Sequence, residues 1–386
     1  MIRYFHHSVW GFIFALVLLF LGSSCIHQTN TDEKNKITIN TLVIPSRNHT
    51  RMQPEIYYAF MSSGKNVQPI VEFEFELFNP FMYDSDENTE MADSGMLDQL
   101  YRCVDEIVAI KKARPQTTKL FELILRYIER HPESHLTQVR RKIDDILDVY
   151  QFLIIESSDT YGIHPIYYLP GITTIETPEG ANTKDMIEAL YSLLFLEAAF
   201  QQDKPIWGSC HGAQIGYIHA GGMLGRLFDY KEGGYEDISF RKSAPKYIDE
   251  EVWHIDNMLY TQEPGTHYQK SAITVYKVPD LFKPEGKKQE MFYLNKDFQH
   301  SLAMIPPVPK AIEVISYHPM SEYQSKDQDS NYCEINVAFI EVLNNQVIVD
   351  AYLYKTMLGV QYHPQYTYDD METALVFDYL VKQIMD

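Results

Sequence analysis

Lys204-Pro205-Ile206-Trp207-Gly208-Ser209-Cys210-His211-Gly212-Ala213-Gln214-Ile215-Gly216-Tyr217-Ile218-His219-Ala220 is the stretch from which the fold can be read. Its opening, Lys204 to Gly208, has the apolar character of a short strand, and Gln214 to Ala220 reads as a helix. Glycines stand two residues either side of Cys210. Small neighbours let the backbone fold tightly, so strand passes into helix through a sharp turn that pushes the Cys side chain out at the strand's carboxyl end. Upstream, a helix fits residues 184–202, with Ile187, Leu190, Leu193, Leu194 and Phe200 on its apolar side. Before that, Ile166-Tyr167-Tyr168-Leu169-Pro170-Gly171 reads as a strand closed by a Pro-Gly turn. Strand, helix, strand, tight turn, helix is the rhythm of a mostly parallel α/β sheet flanked by helices.

The same pattern extends outward. Ile37 to Pro45 is β-branched and apolar until proline stops it, which predicts a first buried strand, and Phe152-Leu153-Ile154-Ile155 is a second short candidate. Residues 84–96 are acidic and loop-like. Residues 97–150 carry helical spacing through Leu97, Leu100, Val104, Ile107 and later Leu120, Leu123, Ile124 and Ile128. The carboxyl third is richer in strand candidates, at Ala272–Tyr276, Ile312–Ile315, Val337–Ile340 and Val347–Asp350, and a last helix fits 370–384.

The amino terminus has its own logic. Val9 to Leu21 is an almost unbroken apolar run, preceded by Arg3 and followed by Gly22-Ser23-Ser24-Cys25. This is the layout of an export signal, and the run is too short for a membrane span of about 20 residues. Small residues before a Cys resemble a lipoprotein cleavage site, so Cys25 is expected to be lipidated and to tether an exported protein to a membrane; a cleaved signal and a secreted product is the alternative. Residues 26–37 are polar and read as a flexible tether.

Composition narrows the function classes. A chain that is 45% hydrophobic has the apolar material for a sizeable core. Its formal charge of −20 argues against nucleic-acid partners, which demand a basic footprint. Cys103, Cys210 and Cys333 are widely scattered, with no Cys or His spacing suited to a metal. Cys103 and Cys333 read as buried, inert thiols, with a bridge between them left open. No cofactor is called for.

Chemistry converges on Cys210. The helix after the turn aims its free N–H groups and positive dipole end at the sulfur, which favours thiolate over thiol. The N–H of His211 is placed to stabilise an oxyanion. A base is offered by Gly359-Val360-Gln361-Tyr362-His363-Pro364-Gln365, where His363 follows a strand near the chain's end. A second oxyanion N–H is available from Leu169-Pro170-Gly171.

Gly208-x-Cys210-x-Gly212-x-Gln214 matches the G-x-C-x-G-x-Q signature of class I glutamine amidotransferases. The run ending His363-Pro364-Gln365 resembles that superfamily's G-V-Q-[FW]-H-P-E, and Leu169-Pro170-Gly171 resembles its L-P-G-G. Tyr217-Ile218-His219-Ala220-Gly221-Gly222-Met223-Leu224, and more weakly Gln299-His300-Ser301, resemble the γ-glutamyl hydrolase and γ-glutamyl-γ-aminobutyrate hydrolase group. The resemblance implies a flavodoxin-like domain over residues 38–386 with a helical insertion at about 97–150. It implies a cysteine hydrolase of small γ-glutamyl peptides or amides, working through a thioester. Cys210 would be nucleophile and His363 acid and base. Gly171 and His211 would hold the oxyanion, and Gln214 the glutamyl group. Three positions depart from the pattern. Gln365 stands where the family has the Glu that orients the His, and an amide orients imidazole without supplying charge. Asp369 and Asp370 lie close by in sequence. Ile172 replaces the second Gly of the oxyanion turn, and His211 stands where Arg or Leu is common. Gln365 and Ile172 keep a second reading open, a catalytically inactive relative serving as a binding or regulatory lipoprotein.

Overall fold

The computed structural model describes residues 36–47, 52–81, 94–156, 163–177, 180–226, 229–231, 234–236, 259–260, 269–275, 292–298, 302–305, 307–319, 347–361, 363–364 and 371–386. Cys25, the leader and nearly all of the tether lie outside them, as do Cys333, Gln365, Asp369, Asp370, the strand expected at 337–340 and Gln299-His300-Ser301. Lys36 and Ile37, assigned to the tether, belong to the first strand.

The chain runs β1 (Lys36–Ile44), α1 (Pro54–Lys65), β2 (Ile70–Leu77), α2 (Ser94–Ala113), α3 (Leu120–Arg130), α4 (His135–Leu147), β3 (Phe152–Ile155), α5 (Thr183–Gln201), β4 (Ile206–Ser209) and α6 (His211–His219). Strands then dominate: β5 (Met223–Arg226), β6 (Asp229–Lys231), β7 (Gly234–Glu236), β8 (Leu259–Tyr260), β9 (Gln269–Val275), β10 (Phe292–Phe298), β11 (Leu302–Ile305), β12 (Glu313–Pro319), β13 (Val347–Tyr354) and β14 (Met357–Val360). Helix α7 (Met371–Met385) closes the chain. The main sheet has the order β10-β9-β12-β13-β14-β4-β3-β1-β2. Strands β14, β4, β3, β1 and β2 pair in parallel, and β13, β12, β9 and β10 continue antiparallel. The expected mostly parallel sheet flanked by helices is present, extended by an antiparallel wing built from the strand-rich carboxyl third.

Both faces of the parallel part are covered, which is why the central strand β3 carries apolar residues at every position. In β3 all four residues are buried. Leu153 and Ile155 join Leu42 and Ile44 on the face shared with α2, α4, α5 and α6. Phe152 and Ile154 join Val43 and Trp207 on the face covered by α1 and α7. There Phe60 meets Phe377 edge-on at 5.0 Å and Trp207 at 5.6 Å. The helices at 97–150 form the crossover from β2 to β3, and Leu100, Cys103, Ile107 and Ile143 pack in the same core as Leu190 and Leu194 of α5. Cys103 is a free buried thiol whose pKa burial pushes well above the ordinary range.

One strand expectation fails. Residues 165–167 form a 3₁₀ turn, capped by His164, whose ring accepts from the Ile166 N–H at 3.1 Å, and the chain continues through turns to Gly171. Ile166 and Tyr167 are buried because they pack beneath α5, where the Tyr167 hydroxyl donates to the Met186 carbonyl at 2.9 Å. The Lys111 ammonium, fully buried, donates to the carbonyls of Thr117 and Leu169 and ties this segment to α2.

From β1 the chain crosses by α1 to β2 on one side, then by α2–α4 to β3 on the other. The order therefore reverses at β1, and a crevice forms where the carboxyl ends diverge, the usual ligand position in open α/β sheets.

Candidate active site

The carboxyl ends of five parallel strands bring the chemistry-bearing residues together. Strand β4 ends at Ser209 and α6 begins at His211, so Cys210 alone makes the turn, with φ 49° and ψ −100°. Non-glycine residues avoid this region, and occupying it carries about 1–3 kcal/mol of strain. The surroundings hold it there: the Cys210 N–H donates to the Val360 carbonyl at 2.7 Å, and its carbonyl accepts the Gln214 N–H at 3.0 Å. A Cβ on Gly208 would lie 2.7 Å from the Gly212 carbonyl carbon, so glycine here is a steric requirement.

His363 arrives from the adjacent strand. β14 pairs with β4 in parallel, with Val360 opposite Ser209, so Cys210 and His363 both follow the carboxyl ends of neighbouring strands. His363 is buried, as is Cys210. Gln361, just past the end of β14, is fully buried, and its N–H donates to the Asp350 carbonyl on β13 at 2.6 Å. Its side-chain Nε2 lies 3.5 Å from the Cys210 Sγ, and its Oε1 accepts from the Gln214 Nε2 at 3.1 Å. Gln214, expected to hold substrate, is thus joined to Gln361. The sequence motif contains Gln361, but its contact with sulfur depends on the pairing of β4 and β14.

The oxyanion assignment changes in part. The Gly171 N–H is donated to the Pro115 carbonyl at 2.8 Å, so it is engaged away from the sulfur. The strand beside β4 is β3, and the backbone nearest the elbow on that side is Ile155 and Glu156. The first turn of α6 does fit the role expected of His211. Its first intrahelical bond is the one from Gln214, leaving the N–H groups of His211, Gly212 and Ala213 without an intrahelical acceptor.

Charged groups line the same edge. Glu156 is buried after β3 and accepts the Gln53 N–H at 3.1 Å. Arg47, just beyond β1, sets its Nη1 2.8 Å from Asp185 and 3.8 Å from Glu188, both buried on α5. Asp185 also completes a capping box with Asn182 at the start of that helix. Among the described residues, neither ring nitrogen of His211 has a hydrogen-bond partner. Burial first, and the Arg47 charge second, lower its pKa from 6.5 to about 4.

That shift gives a stability prediction. The unfolded chain takes up this proton near 6.5 and the folded one only near 4, so between those values the unfolded state binds more protons and stability falls as pH drops. The loss attributable to His211 is about 3 kcal/mol across the window. His219, lowered by burial against the opposing pull of Glu197, acts in the same direction. Urea unfolding at several pH values will show a flatter acid limb for His211→Gln than for the wild type; parallel limbs would assign the loss elsewhere.

No family model matches the chain. It is similar to a glutamine amidotransferase-like protein of Rickettsia prowazekii, at 21% identity over 264 residues, spanning 62% of this chain and 79% of that relative. Among solved structures it is similar to the glutaminase domain of Trypanosoma brucei CTPS with bound acivicin, at 9% identity, covering 89% of this chain and 94% of that one with a TM-score of 0.40. A glutamine amidotransferase of Thermotoga maritima matches at 11% identity, covering 90% and 96% with a TM-score of 0.34. In sequence, then, the likeness to a glutamine amidotransferase-like protein extends over about four fifths of that relative's length.

Proposed function

We propose that the protein is a cysteine hydrolase that cleaves a glutamine or γ-glutamyl side-chain amide through a thioester on Cys210. The observation that carries this reading is the strained Cys210 turn at the head of α6, beside the strand end that leads to His363. Asp203 and Lys355 hold similar φ values, 50° and 51°, in ordinary connecting turns; Cys210 does so at the junction of a parallel strand with a helix amino terminus, where the turn presents its side chain beside the β14 end.

In the proposed reaction the Cys210 thiolate attacks the amide carbonyl carbon. The free N–H of His211 stabilises the oxyanion, in the role that preorganised donors play in acyl transfer. The C–N bond breaks as His363 protonates the leaving amine or ammonia. His363 then takes a proton from water, whose oxygen attacks the thioester, and the γ-carboxylate leaves as Cys210 is released. The similarity to a glutamine amidotransferase-like relative supports the class of substrate. We extend the reading to location: an exported protein tethered through lipid on Cys25.

The test is a panel of glutamine and γ-glutamyl peptides, followed by glutamate release, together with mass spectrometry after an acivicin-type electrophile. The expected results are turnover of at least one γ-glutamyl amide and a single stoichiometric adduct on the Cys210 peptide. Folded protein that takes no label at neutral pH would rule the hydrolase out.

A further inference from the structure

The Gln361 amide is held between the Gln214 side chain and the sulfur. Its backbone N–H is fixed on the Asp350 carbonyl at 2.6 Å. Its Oε1 receives the Gln214 Nε2 at 3.1 Å, which leaves its own NH₂ to point at Sγ, 3.5 Å away. Gln214 is placed in turn by the first turn of α6, through its N–H to the Cys210 carbonyl at 3.0 Å. The result is a closed ring from Cys210 along α6 to Gln214, across to Gln361 and back to sulfur, all buried. Amide oxygens and nitrogens are told apart by their partners, and here the Gln214–Gln361 bond makes the NH₂-to-sulfur orientation consistent at both ends.

An N–H donor favours the charged form of its acceptor, and a thiolate accepts far better than a thiol. The sulfur also sits at the amino terminus of α6. Both influences are independent of a proton on His363. Neither depends on the residue behind His363, where the sequence has Gln365 in place of a carboxylate.

Resting on the reading of Cys210 as a nucleophile, we propose that Gln361 is a catalytic residue that holds Cys210 as a thiolate in the resting protein, with Gln214 as the positioning residue that fixes its amide. The proton lost from sulfur goes to solvent, and His363, neutral at rest, takes a proton from solvent before the C–N bond breaks, so that it can protonate the leaving amine. Among the described residues, the ionisable groups on the surrounding elements include His211, Tyr217 and His219 on α6, His363 after β14, Asp350 and Tyr352 on β13, Glu156 after β3, Arg47 after β1, and Asp185 and Glu188 on α5.

The experiment is the pH dependence of iodoacetamide alkylation, read by mass spectrometry on the Cys210 peptide so that the other cysteines do not contribute. It uses the full chain, with folding of each variant checked by circular dichroism. The wild type should alkylate with a midpoint well below the ordinary thiol value of about 8.5. Gln361→Met should move that midpoint up by about one pH unit, the size expected for a lost hydrogen bond to a charged group. Gln214→Met should move it in the same direction by less, and it decides the matter alone if Gln361→Met does not fold. His363→Ala should leave the midpoint within about half a unit while lowering hydrolysis. A wild-type midpoint at the ordinary thiol value, an unmoved midpoint in a folded Gln361 or Gln214 variant, or an ordinary thiol in His363→Ala would overturn the proposal. Alkylation needs no substrate, so a low midpoint with no turnover on any γ-glutamyl amide defeats the hydrolase reading and leaves the thiolate assignment standing.

Discussion

Cys210→Ala will lower the turnover of a γ-glutamyl amide by about 10⁴- to 10⁶-fold, because no other group in the site can carry the acyl intermediate. Its stability will barely change. Alanine keeps the β-carbon, so it retains the strain of φ 49°, and the hydrogen bonds that hold the turn are made by the backbone. Cys210→Gly is the informative partner. It removes the same sulfur, but glycine occupies this conformation freely. Relief of about 1–3 kcal/mol of strain exceeds the roughly 0.5–1 kcal/mol of added unfolded-state freedom, so the Gly protein should be about 1 kcal/mol more stable than the Ala protein. Both variants should be equally inactive. Urea unfolding with unchanged slope reads the stability difference, and glutamate release reads the activity. A Gly variant less stable than the Ala variant would mean that the turn stores no strain, and the strongest argument for a retained nucleophile would be lost.

The same turn explains what the sequence makes legible. At Gly208 the constraint includes a local one: a Cβ there would meet the Gly212 backbone as the chain passes from strand to helix. The pattern can be read without knowing the partner strands, and β14 can be read for the same reason from its fixed glycine and the run into His363. Residues 166–171 mislead because an apolar run followed by Pro-Gly is satisfied equally by a strand and by a buried turn under a helix. What separates the two is Pro165 in the first turn of a 3₁₀ segment, with His164 capping it. The strand that flanks the elbow, β3, has only four residues, buried on both faces, so it shows neither alternation nor length. Strand β2 and helix α1 were not among the elements expected from sequence, although Val71, Phe73 and Phe75 alternate with Glu72, Glu74 and Glu76 in the one and Pro54 opens the other. The buried polar groups were beyond reach. Arg47 meets Asp185 across 138 residues of chain, and Gln361 meets Cys210 across 151. Such pairs exist only once strand order is fixed, so a sequence reading that singles out Cys210 still cannot identify what surrounds it.

Gly212→Ala tests the tightest of those surroundings. A methyl group there would place its carbon 2.2 Å from the Ile155 carbonyl oxygen and 3.0 Å from the carbonyl carbon behind it. Both are backbone atoms of β3, a strand hydrogen-bonded on either side to β1 and β4, so neither can turn aside as the end of a flexible side chain would. Helix α6 must instead lift from the sheet. That movement would strain the Cys210 bond to Val360 and draw Gln214 away from Gln361. It would also disturb the Tyr352 hydroxyl, which donates to the Ala213 carbonyl at 2.5 Å. Overpacking against rigid backbone falls at the upper end of single-substitution costs, at least about 3 kcal/mol. The higher helix propensity of alanine returns only about 1 kcal/mol. The expected result is a protein with a much lower thermal midpoint, recovered in poor yield, whose folded fraction has lost its fast-alkylating thiol. Ala213→Gly, one residue along and also buried, serves as the control for helix propensity and should lower stability by about 1 kcal/mol. If Gly212→Ala unfolds no earlier than that control, α6 does not rest on the β3 carbonyl, and the positions of Cys210, Gln214 and Gln361 relative to one another would have to be redrawn.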